Sequence, residues 1–271
     1  MPVLRIHGRK EAVQKGSLNM KIFLSGMEST YHKVFPEGKE LLWTLLSYYS
    51  IRRNMENSLE LIRRSQEVMI DSGAHSFQKG VTVPWEDYTR EYADWIRAND
   101  QPKINGYFEM DVDNVIGYDK VLELREILLK ATDKIIPVWH KNRGLDEFKK
   151  MCHEYSGRII AITGFRNEDI RDSQYGMFYA YAHEAGCRVH CLGMTRRNVL
   201  DQVPFEFADS SSWLQMAAYG TAPLYLKETE PAVKVRFPRG TNTYALERKS
   251  YEEYRLMQLH YHAKWQHINN D

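Results

Sequence analysis

Through the middle of the chain, short runs rich in Val, Ile and Phe alternate with longer stretches whose apolar residues recur three and four positions apart. The short runs are MKIFLSG (20–26), EVMIDSG (67–73), NGYFEMDV (105–112), KIIPVWH (134–140), RIIAITG (158–164), CRVHCLG (187–193) and PFEFADS (204–210). They predict strands. The longer stretches predict helices over 38–53, 84–99, 117–132, 144–156, 169–185 and 195–202, as Tyr88, Tyr92, Trp95 and Ile96 illustrate. Pro84 and Gly144 mark helix starts, and Gly157 and Gly186 mark ends.

Repeated strand–helix alternation implies a parallel sheet covered by helices. A doubly wound sheet would carry a Gly-rich phosphate loop after its first strand. SGMESTYHKVFPEG has neither GxGxxG nor GxxxxGK. Polar groups instead recur at strand C-termini: Asp71, Asp111, His140, Gly164, Gly193 and Asp209. A (β/α)8 TIM-like barrel builds its site that way, so the fold class expected is α/β, with TAPLYLK (221–227) as candidate eighth strand. The expected organisation is one domain: an N-terminal arm (1–18), a barrel core (19–230) and a basic C-terminal loop and helix (231–271). Ser250 and Glu253 form a capping-box pattern that places the start of that helix at Ser250.

The 271 residues are 43% hydrophobic and 27% charged with net charge +1, an ordinary soluble composition that advertises neither nucleic acid nor membrane. No segment approaches the roughly 20 apolar residues of a membrane span, and the first residues lack a secretory apolar core. Cys152, Cys187 and Cys191 form no CxxC; with His190 alongside they supply too few ligands for zinc, and buried thiols in a reducing cytoplasm are expected.

Asp71 and Asp209 each end a strand before small residues. A carboxylate at a barrel mouth persists when it is hydrogen bonded, paired or used. Two facing one pocket can divide labour, one attacking carbon and the other moving protons. Asp111 and Asp113 in YFEMDVDN add acceptors for a ligand with several N–H donors, although helix capping explains Asp113 equally well. Arg236, Arg239, Arg248 and Lys249 are candidates for phosphate contacts, against the alternative of a solvated loop. His260, His262 and His267 suggest a polar helix face, not a metal site.

Five of these segments resemble the tRNA-guanine transglycosylases. DSGAHSFQ is similar to that family's DSGG-F-Q motif, and FEFADSSSW sits where the family has its nucleophilic aspartate. YFEMDVDN resembles the strand with the base-recognising aspartate, IIPVWHK the I-V-Q-G strand and CLGM the L-G-V-G strand, in order from about 67 to 213. The family's C-terminal CxCxxC…H zinc site is absent, and His140 stands near the place of its pocket glutamine. The compact pattern is more like the phage-encoded relatives that insert 7-deazaguanine into DNA.

The resemblance implies base exchange. Asp209 is then the nucleophile on C1′, and Asp71 the general acid/base. Asp111 reads the guanine edge, with Asp113, Ser72, Phe77, His140, Gly164, Leu192, Gly193 and Met194 around the base. Met194 with Phe77 or Trp139 would sandwich it. No metal or other cofactor is implied. The partners are DNA, or tRNA as alternative, and a 7-deazaguanine such as preQ0; the compartment is the cytoplasm, that of the host if phage-encoded. Two other readings stay open: a barrel glycoside hydrolase using the same carboxylates, and a nucleic-acid-binding barrel without activity.

Overall fold

The computed structural model describes residues 19–77, 83–163, 170–224 and 233–267. Its main sheet is parallel and contains β1 (Lys21–Ser25), β2 (Leu41–Ser47), β3 (Ser65–Asp71) and β4 (Ile104–Phe108). It continues with β5 (Ile135–Ile136 and Val138–Trp139), β6 (Ile159–Thr163), β7 (Arg188–Leu192) and β8 (Phe207–Ser210). The two pieces of β5 are one strand broken at Pro137, which has no N–H to give the ladder. Its first piece pairs with β4 and its second with β6, while the Pro137 carbonyl still accepts from Ala161 N at 2.8 Å. Counted so, the nine sheet segments are eight strands, and β1 pairs with both β2 and β8. The ring is a (β/α)8 barrel.

Period-2 alternation decides which side chains face the lumen. Phe23, Leu45, Met69, Phe108, Val138, Ala161 and Phe207 form an interior cluster. Ile22, Leu24, Leu46, Val68, Ile70, Ile160 and Val189 belong to the larger cluster between barrel and helices. Hence EVMIDSG is apolar on both faces until Asp71, which shares the lumen face with Met69. Asp209 follows Phe207 in the same way.

Three expectations are corrected. Residues 38–53 are not one helix: Leu41–Ser47 is β2, buried on both faces, followed by the short helix Tyr48–Ile51. A run apolar on every side carries no period, so helix and strand look alike in it. This strand, not TAPLYLK, completes the barrel; Thr221–Leu224 (β9) pairs antiparallel with Val233–Arg236 (β10) in a separate hairpin. The C-terminal helix runs from Thr243 to His267, and its start is capped by Asn242, whose Oδ1 accepts from Tyr244 N (2.9 Å) and Ala245 N (3.2 Å). Ser250 lies buried inside it. That helix lies along the outside of the barrel: Gln258 Nε2 donates to the Ile22 carbonyl (2.6 Å) and Trp265 Nε1 to the Leu200 carbonyl (3.1 Å). His262 turns inward toward Met20 O at 3.2 Å, so the histidines do not form one outer face.

Candidate active site

The C-terminal ends of β3, β4, β5, β7 and β8 converge on one mouth, and the five segments noted above lie there. On β3, Asp71 Oδ1 accepts from Gly73 N at 3.0 Å. Gly73 has φ of 74°, and a Cβ there would lie 2.4 Å from Tyr49 Cβ and 2.7 Å from Tyr49 N, so the turn that presents Asp71 requires glycine. Burial pushes the Asp71 carboxyl above the ordinary carboxylate range; Gly73 N–H and His75 oppose this, and the charges of Asp111 and Asp209 add to it.

On β8, Asp209 is held differently. Its Oδ1 receives His190 Nε2 and Gly193 N, each at 2.9 Å. Oδ2 has no hydrogen bond from a described residue. His190 projects from β7 into the lumen, fully buried against Phe108 (ring centroids 4.9 Å) and stacked on Phe207. Its Nδ1 is buried without a partner, which assigns the ring proton to Nε2, where it is donated to Asp209. Gly193, with φ of 64°, turns its N–H toward the same oxygen.

Asp111 sits past the end of β4 between two histidines: His140 Nε2 is 2.7 Å from Oδ1 and His75 Nε2 is 3.1 Å from Oδ2. Burial alone would raise its pKa; the hydrogen bonds from His140 and His75 outweigh it and hold the carboxyl well below the usual range. The hydrogen bond to Asp111 raises the His75 pKa. For His140 burial opposes protonation, but the bond and charge of Asp111 prevail, and it too is raised. The His75 side chain is 70% exposed, so it can leave Asp111 Oδ2 when a ligand brings its own donors.

Beneath Asp111 lies a buried ion network that sequence reading missed. Glu109 is fully buried, ion-paired to Arg125, and accepts from Val138 N (2.8 Å) and Arg143 Nη1 (3.3 Å). Arg143 also donates through Nε to Asp113 Oδ2 (3.0 Å) and through Nη1 to the Val138 carbonyl. Asp113 starts a helical turn, but its side chain is committed to Arg143 and to Asn142 (3.2 Å). Among the described residues, ligand atoms of Asp111, Asp113 and His140 lie within 4.8 Å of one another, close enough to share a cation; in this structure the Arg143 guanidinium stands beside both carboxylates.

The remaining expected residues divide. Ser72 is buried and its carbonyl accepts from Tyr88 OH (2.6 Å). Phe77 packs edge-on against Tyr49, Trp85 and Tyr88. Leu192 is half-buried at the end of β7. The base sandwich by Met194 and Trp139 is corrected: both are buried in the layer between barrel and helices, and Trp139 Nε1 is spent on the Gly144 carbonyl (2.9 Å). Strand parity turns Trp139 outward, and the positive-φ turn at Gly193 breaks the parity of β7 before Met194. Gly164 lies outside the described residues. Arg236 and Arg239 are exposed, whereas Arg248 chelates Glu37 (3.0 and 2.8 Å) and Lys249 pairs with Glu253 (2.6 Å). The three cysteines are buried and free.

His75, His190 and Glu28 are the mouth residues that sequence reading did not single out for a role. Glu28 Oε1 accepts from Ser47 N (2.6 Å); burial raises its pKa, with Asp71 contributing. His75 stood inside the quoted motif, and the inward parity of His190 with Leu192 was readable from β7 alone.

No family model matches the chain, and no curated protein matches it. Among solved structures, orotidine 5′-phosphate decarboxylase from Thermotoga maritima is similar over 70% of this chain and 89% of its own, at 15% identity and a TM-score of 0.42. Among the described residues, no helix is long and apolar enough to cross a membrane.

Proposed function

We propose that the chain is a base-exchange transglycosylase that replaces guanine in DNA with a 7-deazaguanine. One observation carries the reading: two carboxylates on one mouth have opposite dressings. Asp209 has one oxygen fixed by two donors and the other unencumbered, as an attacking group needs. Asp71 sits desolvated with a raised pKa, as a proton carrier needs. The flipped nucleotide enters the mouth. Asp209 Oδ2 bonds to C1′ as the C1′–N9 bond breaks, and Asp71 gives its proton to the departing guanine. The incoming 7-deazaguanine then attacks C1′, the ester bond breaks, and Asp71 takes the proton released. Two inversions give retention. Asp111 accepts from the N–H edge of each base in place of His75.

Incubation with radiolabelled guanine and duplex DNA, single-stranded DNA or unmodified tRNA tests this. Label in DNA is the expected result. Label in tRNA alone would move the substrate to tRNA, and release of sugar or base without incorporation would indicate a hydrolase working through the same carboxylates.

A further inference from the structure

Beside the mouth, on the outer side of the turn that carries Glu28, lies a second cleft of about 580 Å³. One wall is Ser29, Thr30 and Lys33; the other is the start of the C-terminal helix, with Tyr244 and Glu247. Its volume falls within the usual range for small-molecule sites. Two acceptors in it are unspent. Glu247 is 8% exposed and its Oε2 has no hydrogen-bond partner; Thr30 Oγ1 is likewise buried and unpartnered. A buried carboxylate oxygen without a donor carries a desolvation cost, which raises the Glu247 pKa and which the charge of Lys33 only partly offsets. The Asn242 side chain already occupies the first N–H groups of the helix. The positive charge in the cleft therefore comes from Lys33, whose Nζ lies 5.5 Å from the centre of the Tyr244 ring.

We infer that this cleft holds the nucleotide next to the target, with its base on Tyr244, its amino edge on Glu247 Oε2 and Thr30 Oγ1, and its phosphate at Lys33. An aromatic face, N–H acceptors and one cation are the complement of an amino-bearing nucleotide. Position supports a polymer, not a free nucleotide. On one side the cleft shares the turn of Glu28 with the mouth. On the other it shares Thr241 and Thr243 with a further cleft of about 410 Å³ lined by Arg236 and Arg239. The three openings mark a path for one strand. Adenine and cytosine present an amino group to the acceptors. Thymine, whose single N–H lies between two carbonyl oxygens, does not. The identity of the ligand rests on the nucleic-acid reading above.

The test is binding without chemistry. Fluorescein-labelled single-stranded deoxyoligonucleotides carry one guanine flanked on either side by adenine, cytosine or thymine, and affinity is read by anisotropy with no free base present. The wild-type chain is expected to prefer adenine or cytosine over thymine at one flank by roughly tenfold. Glu247→Leu, which removes the acceptor, should abolish that preference, and Tyr244→Ala should weaken all oligonucleotides about equally, again by roughly tenfold. Equal binding of all flanks by the wild type, or a preference unchanged in Glu247→Leu, would overturn the subsite. A flank preference without guanine exchange in a parallel assay would instead remove the proposed reaction and leave the subsite standing.

Discussion

His190 Nε2 and Asp209 Oδ1 lie 2.9 Å apart, and this bond starts from the fully buried floor of the mouth. It aims the carboxylate from below while Gly193 N–H fixes the same oxygen from the β7 end. Asp209→Asn keeps the shape but cannot form the ester, so exchange should fall by on the order of 10⁴-fold or more. His190→Leu should lower kcat by roughly 10²-fold through misaim, with little change in KM for the base. His190→Gln, which restores a donor, should recover part of it. Single-turnover label incorporation checks the three variants; a His190→Leu enzyme with unchanged kcat would show the histidine to be packing only.

Asp71→Asn should slow exchange yet make the protein more stable at neutral pH. The folded pKa of Asp71 is raised above its unfolded value near 3.9, so the native state binds the proton more tightly. Its burial therefore costs stability once both states are ionised, and that cost disappears as pH falls below the unfolded value. Thermal melts of wild type and variant should differ at pH 7 in favour of the variant and converge near pH 3. Equal melting at pH 7 would contradict a desolvated carboxylate.

The pair of His140 with Asp111 has the opposite sign. His140 is raised in the folded state, so its contribution is complete below the ordinary imidazole value of about 6.5 and fades as pH rises through the elevated one. Asp111, depressed, contributes fully above the ordinary carboxylate value and loses that contribution as pH falls from there toward its lowered folded value. His140→Asn should consequently lower Tm most at pH 5–6 and least above pH 8. A Tm difference that does not vary with pH would mean that the bond is formed by the neutral ring.

Basic residues near the C-terminus separate into two groups. Arg248 holds Glu37 and the Val34 carbonyl (2.8 Å) and lies over Phe35, so Arg248→Ala should cost roughly 0.5–1.5 kcal/mol of stability, read by urea melts. Arg236 and Arg239 stand exposed on the further cleft of about 410 Å³. Replacing both with Gln should leave stability unchanged and reduce the log–log salt slope of DNA binding by roughly 1.4–1.8. Flanking-base and target-base choice should not change, because phosphate contacts position without reading.

The barrel was legible because its strands are short, apolar and spaced by amphipathic helices, and because carboxylates interrupt them at matching ends. The strand Leu41–Ser47 was not legible, since LLWTLLS is buried on both faces and shows no period to distinguish it from a helix. Asp71, Asp209 and Asp111 could be picked out as polar groups at strand ends. Their partners could not: Arg143, Glu109 and Arg125 come from the helices and turns around β4 and β5, and only the closed ring brings them under Asp111. Asn242 was overlooked as a cap because the SYEE pattern at Ser250 imitates a helix start in the middle of a longer helix.

Pro137 deprives β5 of one rung, and Glu109 restores the seam by reaching Val138 N, steadied by the guanidinium of Arg143. The same guanidinium grips Asp113 and stands 3.6 Å from Asp111. The keystone that shuts the cylinder is thus also the anvil under Asp111. Asp111 cannot be retuned through Arg143 as if that were a separable contact, because loosening the guanidinium there also unlatches the wall to which it is fastened.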